Sequence, residues 1–137
     1  IRVVPGPQQD HFTAAALETL FTAEYAVSQK SDRMGFRLDG PLLSHSADYN
    51  IVSDGIVSGA IQVPGSGQPI ILMVDNQTTG GYPKIATVIS ADMPVVGRRK
   101  PGHKLRFESI DVAHAEELRR AQELSLERQA RSIIRAI

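Results

Sequence analysis

The fold class can be read from residues 59–74, GAIQVPGSGQPIILMV, where two short apolar segments are separated by a run rich in glycine and proline. The first segment covers residues 60–63 and the second covers residues 70–74. Short apolar segments bounded by turn residues are typical of the strands of an all-β sandwich or barrel. Residues 84–89 and 104–107 are predicted to supply further strands, so we expect a mainly β domain.

Two helices are predicted at the ends of this β region. The first is short: Asp10 is a candidate N-cap, and apolar residues recur at helical spacing up to about Thr22. Its core face comprises Phe12, Ala16, Leu20 and Ala23. The second helix is longer, begins at Asp111, which can cap the first turn, and runs to the end of the chain. We therefore divide the chain into a β domain, residues 1–110, and a C-terminal helix, residues 111–137.

Composition excludes several classes of protein. The 15 basic and 15 acidic side chains balance, so no charge excess indicates binding to nucleic acid. The absence of cysteine removes disulfides, thiolate nucleophiles and Cys-ligated metals, and the four histidines lack metal-ligand spacing. The longest apolar run, residues 70–74, is far shorter than the roughly 20 residues that cross a bilayer, so we expect a soluble, cytoplasmic protein. Because the chain begins at Ile1 without an initiator Met or a signal segment, we expect a further domain to precede it.

The segment SDRMGFRL contains the first candidate site. If it is extended, Arg33 and Arg37 lie on one face with Gly35 between them, because side chains alternate along a strand. Two guanidinium groups beside a glycine suit a carboxylate, a phosphate or a carboxylated intermediate, since each can bind such a group bidentately. The alternative is that Asp32 and Asp39 pair with the two arginines on the surface.

The segment DNQTTGGYP, residues 75–83, is the second candidate site. It follows a buried strand, and its paired glycines let backbone N–H groups approach an anion closely. Asp75 is the nearest candidate base or cation ligand, and the residues predicted to bind a ligand are Gln77, Thr78, Thr79, Gly80, Gly81 and Tyr82. The alternative is a long β-connection in which Asp75 and Thr78 bond to the local backbone.

The third candidate is Gln62, whose neighbours Ile61 and Val63 point to the opposite side of their strand. Its amide can therefore face a ligand beside the DNQTTGGYP loop. The alternative is that Gln62 is an ordinary strand residue without a ligand.

These segments occur in one order together with smaller motifs. The full set is residues 4–7, 31–40, 59–64, 67–70, 75–83, 101–102 and 107. The set resembles the second half of the biotin-dependent carboxyltransferase-like family, variously called allophanate hydrolase subunit 2, the KipA family or the 5-oxoprolinase C subunit. Gly65 stands where members of that family usually have a second proline, which loosens this turn.

The resemblance implies a cyclophilin-like closed β-barrel, preceded in the family by a related N-terminal domain. It also implies one component of an ATP-dependent 5-oxoprolinase, which opens 5-oxoproline to glutamate together with subunits A and B, the second of which is KipI-like. Such a component is not active alone, and the ATP site is not required to lie in this chain. The exposed isoleucines expected at the C-terminus also allow a homo-oligomer.

Two alternatives are kept open by the same resemblance. One is the carboxyltransferase domain of a biotin-dependent urea carboxylase or amidolyase, with biotin on a separate carrier because the chain lacks a Met-Lys-Met attachment sequence. The other is a KipA-type regulatory protein that antagonises a kinase inhibitor. If the chain is enzymatic, Arg33 and Asp75 are catalytic, Arg37, Gln62 and residues 77–82 bind the substrate, and no metal is involved.

Overall fold

The computed structural model describes residues 1–48, 54–55, 57–76 and 79–136, and within these ranges it contains ten strands and three α-helices. The strands are β1 Arg2–Pro5, β2 Tyr25–Val27, β3 Gly35–Asp39, β4 Asp54–Gly55, β5 Ala60–Gln62, β6 Ile70–Leu72, β7 Thr79–Gly80, β8 Lys84–Val88, β9 Lys104–Leu105 and β10 Glu108–Ser109. The helices are α1 Ala14–Thr22, α2 Met93–Gly97 and α3 Val112–Ala136, with short 3-10 helices at Gln9–His11 and Ser90–Asp92.

Eight of the strands form one curled sheet, a half-barrel with the order β10-β1-β8-β5-β6-β3-β2-β9. Neighbouring strands are antiparallel except β1 and β10, which are parallel. Strands β4 and β7 pair separately, with Asp54 opposite Gly80 and Gly55 opposite Thr79. The prediction of a mainly β, barrel-type fold with a short N-terminal helix and a longer C-terminal helix is confirmed, although the sheet of the described residues is a half-barrel and not a closed barrel, and the short helix α2 was not predicted.

The register of the central strands separates a core face from an outer face. Phe36 lies opposite Ile71, Ile71 opposite Ile61, and Ile61 opposite Ala86. These residues face the hydrophobic core, in which Ile61, Ile71 and Ala86 are fully buried. The alternate positions share the other face, because paired residues in antiparallel strands point to the same side. They are Gly35, Arg37, Ile70 and Gln62.

Helix α1 covers one side of this core. Phe12, Ala16 and Leu20 are buried and Ala23 packs against the same cluster, which confirms the predicted core face. The predicted cap is wrong: Asp10 lies inside the 3-10 helix, and α1 begins only at Ala14. Thr13 is the N-cap, and its hydroxyl oxygen accepts a hydrogen bond of 3.0 Å from the backbone N–H of Ala16.

Helix α3 begins where the sequence predicts it. The Asp111 carboxylate accepts a hydrogen bond of 2.7 Å from the backbone N–H of His114, which confirms the predicted cap. The helix contacts the body of the domain near the 3-10 helix Ser90–Asp92, where the Gln122 amide donates to the carbonyl of Ala91. In the part of the chain that the structure describes, no helix is long and apolar enough to cross a membrane. The division of the chain after residue 110 stays a prediction.

A partly buried ion pair joins β1 to the same 3-10 helix. The Asp92 carboxylate accepts hydrogen bonds from the Arg2 backbone N–H at 2.7 Å and from the Arg2 guanidinium at 3.1 and 2.6 Å. Burial raises the pKa of Asp92, but the hydrogen bonds and the positive charge of Arg2 outweigh it and hold that pKa below its ordinary value. The pair therefore stabilises the junction as long as the carboxylate is ionised.

Candidate functional site

A cleft of about 330 Å³ opens on the outer face of the sheet. Strands β3, β6 and β5 form its floor, and the segment that follows β7 forms a wall. Its lining residues are Asp32, Met34, Gly35, Arg37, Gln62, Ile70, Leu72, Gly80, Gly81 and Tyr82. The structure thus brings together residues from all three segments that the sequence singled out.

The conformation of the residues just before β3 differs from the prediction. The segment SDRMGFRL is not extended throughout, because β3 begins only at Gly35. Before it, the Asp32 carboxylate accepts hydrogen bonds from the backbone N–H groups of Met34 at 2.9 Å and Gly35 at 3.2 Å. Asp32 therefore caps a turn, as Asx residues commonly do, and is not an ion-pair partner of the arginines among the described residues.

The turn gives the two arginines different surroundings. Arg37 lies in β3 and lines the cleft, and its guanidinium has no partner among the described residues. Arg33 lies in the turn, and its side chain is 88% exposed. The expectation that both guanidinium groups flank Gly35 on one face is therefore wrong, since an Asx turn does not keep the side-chain alternation of a strand.

Arg33 and Asp75 contact each other. The Arg33 Nε lies 3.3 Å from the Asp75 Oδ2, and the backbone N–H of Asp75 donates to the Arg33 carbonyl at 3.2 Å. This pair extends the β3–β6 ladder beyond its last strand residues. Neither side chain is among the described residues that line the cleft. The catalytic roles assigned to Arg33 and Asp75 stay predictions.

Gln62 is both a strand residue and a wall residue of the cleft. It lies opposite Ile70 of β6 and opposite Lys84 of β8, at a point where the β5–β8 register shifts. No partner for its side-chain amide occurs among the described residues. An amide in this state offers a ligand one acceptor and two donor hydrogens.

The DNQTTGGYP loop contributes its second half to the cleft. Gly80, Gly81 and Tyr82 line it, and the Tyr82 side chain is 37% exposed. Thr79 belongs to β7 and pairs with Gly55. Gln77 and Thr78, which the sequence also assigns to ligand binding, lie outside the described residues.

Three residues of the cleft and one buried lysine beside it have no recognisable signal in the sequence. Met34, Ile70 and Leu72 give the cleft an apolar side, although Ile70 and Leu72 read as core residues of a buried strand. Lys84 is 3% exposed at the start of β8, and only its position before the apolar run of that strand hints at burial. No group of three or more His, Cys, Asp or Glu residues able to hold a metal occurs within the described ranges.

The chain is similar to one known protein family and to several known proteins. The family of the carboxyltransferase domain, subdomain A and B, matches residues 1–109. The 5-oxoprolinase C subunit of Haemophilus influenzae is 40% identical over 134 residues, 98% of this chain and 43% of the relative. The 5-oxoprolinase C subunit of Escherichia coli is 38% identical over 130 residues, 95% of this chain and 42% of the relative.

A solved structure supports the same grouping. The crystal structure of the K. lactis urea amidolyase superposes with a TM-score of 0.87 at 28% identity, covering 93% of this chain and 8% of that protein. The chain therefore spans less than half the length of each relative compared here. Since the family match covers most of the chain and includes every described residue that lines the cleft, the chain belongs to the carboxyltransferase domain family, subdomain A and B.

Proposed function

We propose that this chain is part of the C subunit of an ATP-dependent 5-oxoprolinase, which opens the lactam ring of 5-oxoproline to give glutamate. The observation that carries the proposal is the cleft, where a guanidinium and an amide, both unpaired among the described residues, converge with a glycine pair at an apolar floor. The 38–40% identity to two 5-oxoprolinase C subunits supports it. Because the chain covers 42–43% of those relatives, the reaction is assigned to the whole assembly.

The cleft residues suit an anionic lactam. Arg37 binds the substrate carboxylate, or a phosphorylated oxygen, through its two parallel N–H donors. Gln62 hydrogen-bonds to the lactam amide, and the apolar side chains of Ile70 and Leu72 contact the ring carbons. The glycine pair, residues 80–81, allows the backbone to approach the ligand closely. Positioning and electrostatic stabilisation of an activated amide are the effects that such groups supply.

ATP is assigned to the complex and not to this cleft. The chain has no Gly-x-x-x-x-Gly-Lys-[Ser/Thr] loop, and Arg37 is the only cation among the described residues that line the cleft. We therefore place the nucleotide in a partner, either subunits A and B or the remainder of the C subunit. Because the proposed reaction consumes ATP, we also propose that the protein acts in the cytoplasm.

The proposal is tested by reconstitution. The full-length protein is co-expressed with candidate A and B subunits, and ADP release is followed with and without 5-oxoproline. We expect substrate-dependent ADP release that disappears when the C subunit is omitted. A folded, verified complex that releases no ADP in response to 5-oxoproline would exclude the oxoprolinase function and leave carboxyl transfer or a purely regulatory role.

A second candidate is carboxyl transfer, favoured by the likeness to the K. lactis urea amidolyase at a TM-score of 0.87. In this case the cleft binds urea or a carboxylated intermediate. Biotin would reach the cleft on a separate carrier, since the chain has no Met-Lys-Met sequence. Streptavidin capture of a biotinylated protein that co-purifies with the full-length protein is then expected, and its absence from an active complex counts against carboxyl transfer.

A further inference from the structure

Lys84 is buried without a partner. Its residue surface is 3% exposed, and its Nζ atom has no hydrogen-bond partner in the structure that the described residues form. The backbone around it is well anchored: the Lys84 N–H donates to the Gln8 side chain, and the Gln8 N–H donates to the Lys84 carbonyl, both at 2.9 Å. The side chain is therefore held inside the domain by a fixed stretch of backbone.

An isolated ammonium in this position needs an explanation. Lysine is among the residues least often buried, and buried polar groups in folded proteins almost always have a hydrogen-bond partner. Water solvates an ammonium group far better than an apolar interior does, so an unpaired one destabilises the fold. Residues 1–97 carry only five basic side chains, and the described fold buries the Lys84 ammonium without a hydrogen-bond partner. A catalytic role and a bound ion are among the recognised reasons for a buried polar group of this kind.

The position of Lys84 connects it to the cleft. It pairs with Gln62 of β5 at the point where the β5–β8 register shifts, and Gln62, unlike Lys84, lines the cleft. Neighbouring strands of a sheet lie about 4.7–4.9 Å apart, so Lys84 and Gln62 are neighbours even where the register shifts. Tyr82, another wall residue, precedes Lys84 by two positions. The four-carbon stem of a lysine is long enough to cover the distance from β8 to the Gln62 side chain.

We propose that Lys84 is the second cation of this site and that its ammonium binds an anionic oxygen group of the ligand, a carboxylate or a phosphoryl group, behind the Gln62 amide. Arg37 and Lys84 then stand on opposite sides of Gln62, on β3 and β8. Two cations separated in this way fit a ligand with an anionic group at each end, such as a carboxylate that has been phosphorylated elsewhere on the molecule. The identity of the anion rests on the proposed function, but the presence of an anion site does not.

The test uses the full-length protein with a Lys84→Met substitution. Methionine keeps an unbranched side chain of similar length and removes the charge. If the ammonium serves a ligand, its replacement leaves the melting temperature equal to or above that of the wild type, because replacing a buried charge with an apolar group of similar volume is often neutral or stabilising. Lys100→Met is the matched control, since Lys100 is exposed in the turn before β9.

Ligand binding is measured by calorimetry with four probes: 5-oxoproline, its analogue 2-pyrrolidinone, which lacks the carboxylate, acetate and inorganic phosphate. We expect Lys84→Met to weaken the binding of at least one anionic probe about tenfold or more and to leave the binding of 2-pyrrolidinone unchanged. Lys100→Met should bind all four probes with the affinity of the wild type. Acetate and 5-oxoproline report a carboxylate site, and phosphate reports a phosphoryl site.

Three outcomes would overturn the proposal. They are unchanged anion affinity in Lys84→Met, failure of the wild type to bind any anionic probe, and failure of Lys84→Met to fold, which would show that the ammonium is a structural group. If acetate or phosphate binds in a manner that depends on Lys84 while 5-oxoproline does not bind, the anion site stands and the proposed substrate is wrong. The two proposals therefore fail in different ways.

Discussion

Substitution of Arg33 and of Arg37 tests the site most directly, because the sequence pattern of SDRMGFRL predicts the same surroundings for both and the structure does not. Arg37 lines the cleft and has no partner among the described residues, whereas Arg33 is 88% exposed and pairs with Asp75 at 3.3 Å. We therefore expect Arg37→Met and Arg33→Met to differ strongly in their effect on activity, although both remove one guanidinium and leave an unbranched side chain. Each substitution is the control for the other.

The expected magnitudes follow from these surroundings. A hydrogen bond to a charged group contributes about 1.5–3 kcal/mol, so loss of the Arg37 contact lowers kcat/KM roughly tenfold to a hundredfold. An exposed ion pair contributes about 0–1 kcal/mol, so loss of the Arg33–Asp75 pair changes kcat/KM by no more than about fivefold. Neither substitution changes the core, and the free energy of unfolding is expected to move by about 1 kcal/mol or less in both variants.

The assay is substrate-dependent ADP release by the assembled complex, with each variant first compared with the wild type in urea unfolding. Equal losses of kcat/KM in the two variants would refute the distinction between a cleft arginine and a surface arginine. A loss of tenfold or more in Arg33→Met alone would restore the predicted catalytic role of Arg33. It would also show that the Arg33–Asp75 pair opens when the substrate or another component of the complex binds.

Three further predictions concern stability and are measured by urea unfolding. Asp92→Ala removes the ion pair with Arg2, and we expect it to lower the free energy of unfolding by about 2–3 kcal/mol at pH 7. Because the fold lowers the pKa of Asp92, the wild type should lose this stabilisation as the pH falls below about 4. A difference between variant and wild type that persists at acid pH would argue against the ion pair. Thr13→Ala should cost about 1 kcal/mol through loss of the α1 cap, and no change would mean that water replaces the hydroxyl. Burial raises the pKa of Tyr25 to about 12, so the folded state keeps a proton that the unfolded chain releases near 10.0. The free energy of unfolding of the wild type should therefore fall by about 2–3 kcal/mol as the pH rises between these values. Tyr25→Phe has no phenol to titrate and should not show this loss.

Much of the fold follows from local patterns in the sequence. The apolar segments of residues 59–74 became β5 and β6, and the helical spacing of Phe12, Ala16 and Leu20 became the buried face of α1. These features are predictable because burial of an apolar stripe and alternation along a strand depend on near neighbours in sequence. The start of α1 was not predicted, since Asp10 and Thr13 are both good caps and the 3-10 helix before α1 decides between them.

The site was predictable as a set of segments but not as a geometry. Gln62, Gly80 and Tyr82 do share a cleft with Arg37, as the order of the motifs suggested. The place of Arg33 could not be predicted, because one hydrogen-bonded turn at Asp32 moves it out of the alternation of β3. A pattern of period two holds only while the backbone stays extended, and nothing in the sequence of the segment fixes where that begins.

Gly35 explains how one sheet carries a core on one face and a cleft on the other. A Cβ atom at this position would lie 2.9 Å from the Cγ2 of Ile70 and 3.9 Å from the Cδ2 of Leu72. The glycine therefore lets the side chains of β6 lean toward β3 and leaves the floor of the cleft without a side chain beside Arg37. A larger residue at position 35 would displace the Ile70 side chain and occupy the floor of the cleft. The same alternation that turns Phe36 toward the core turns Arg37 toward the cleft, and the missing side chain at Gly35 provides the space in which a ligand can reach the guanidinium.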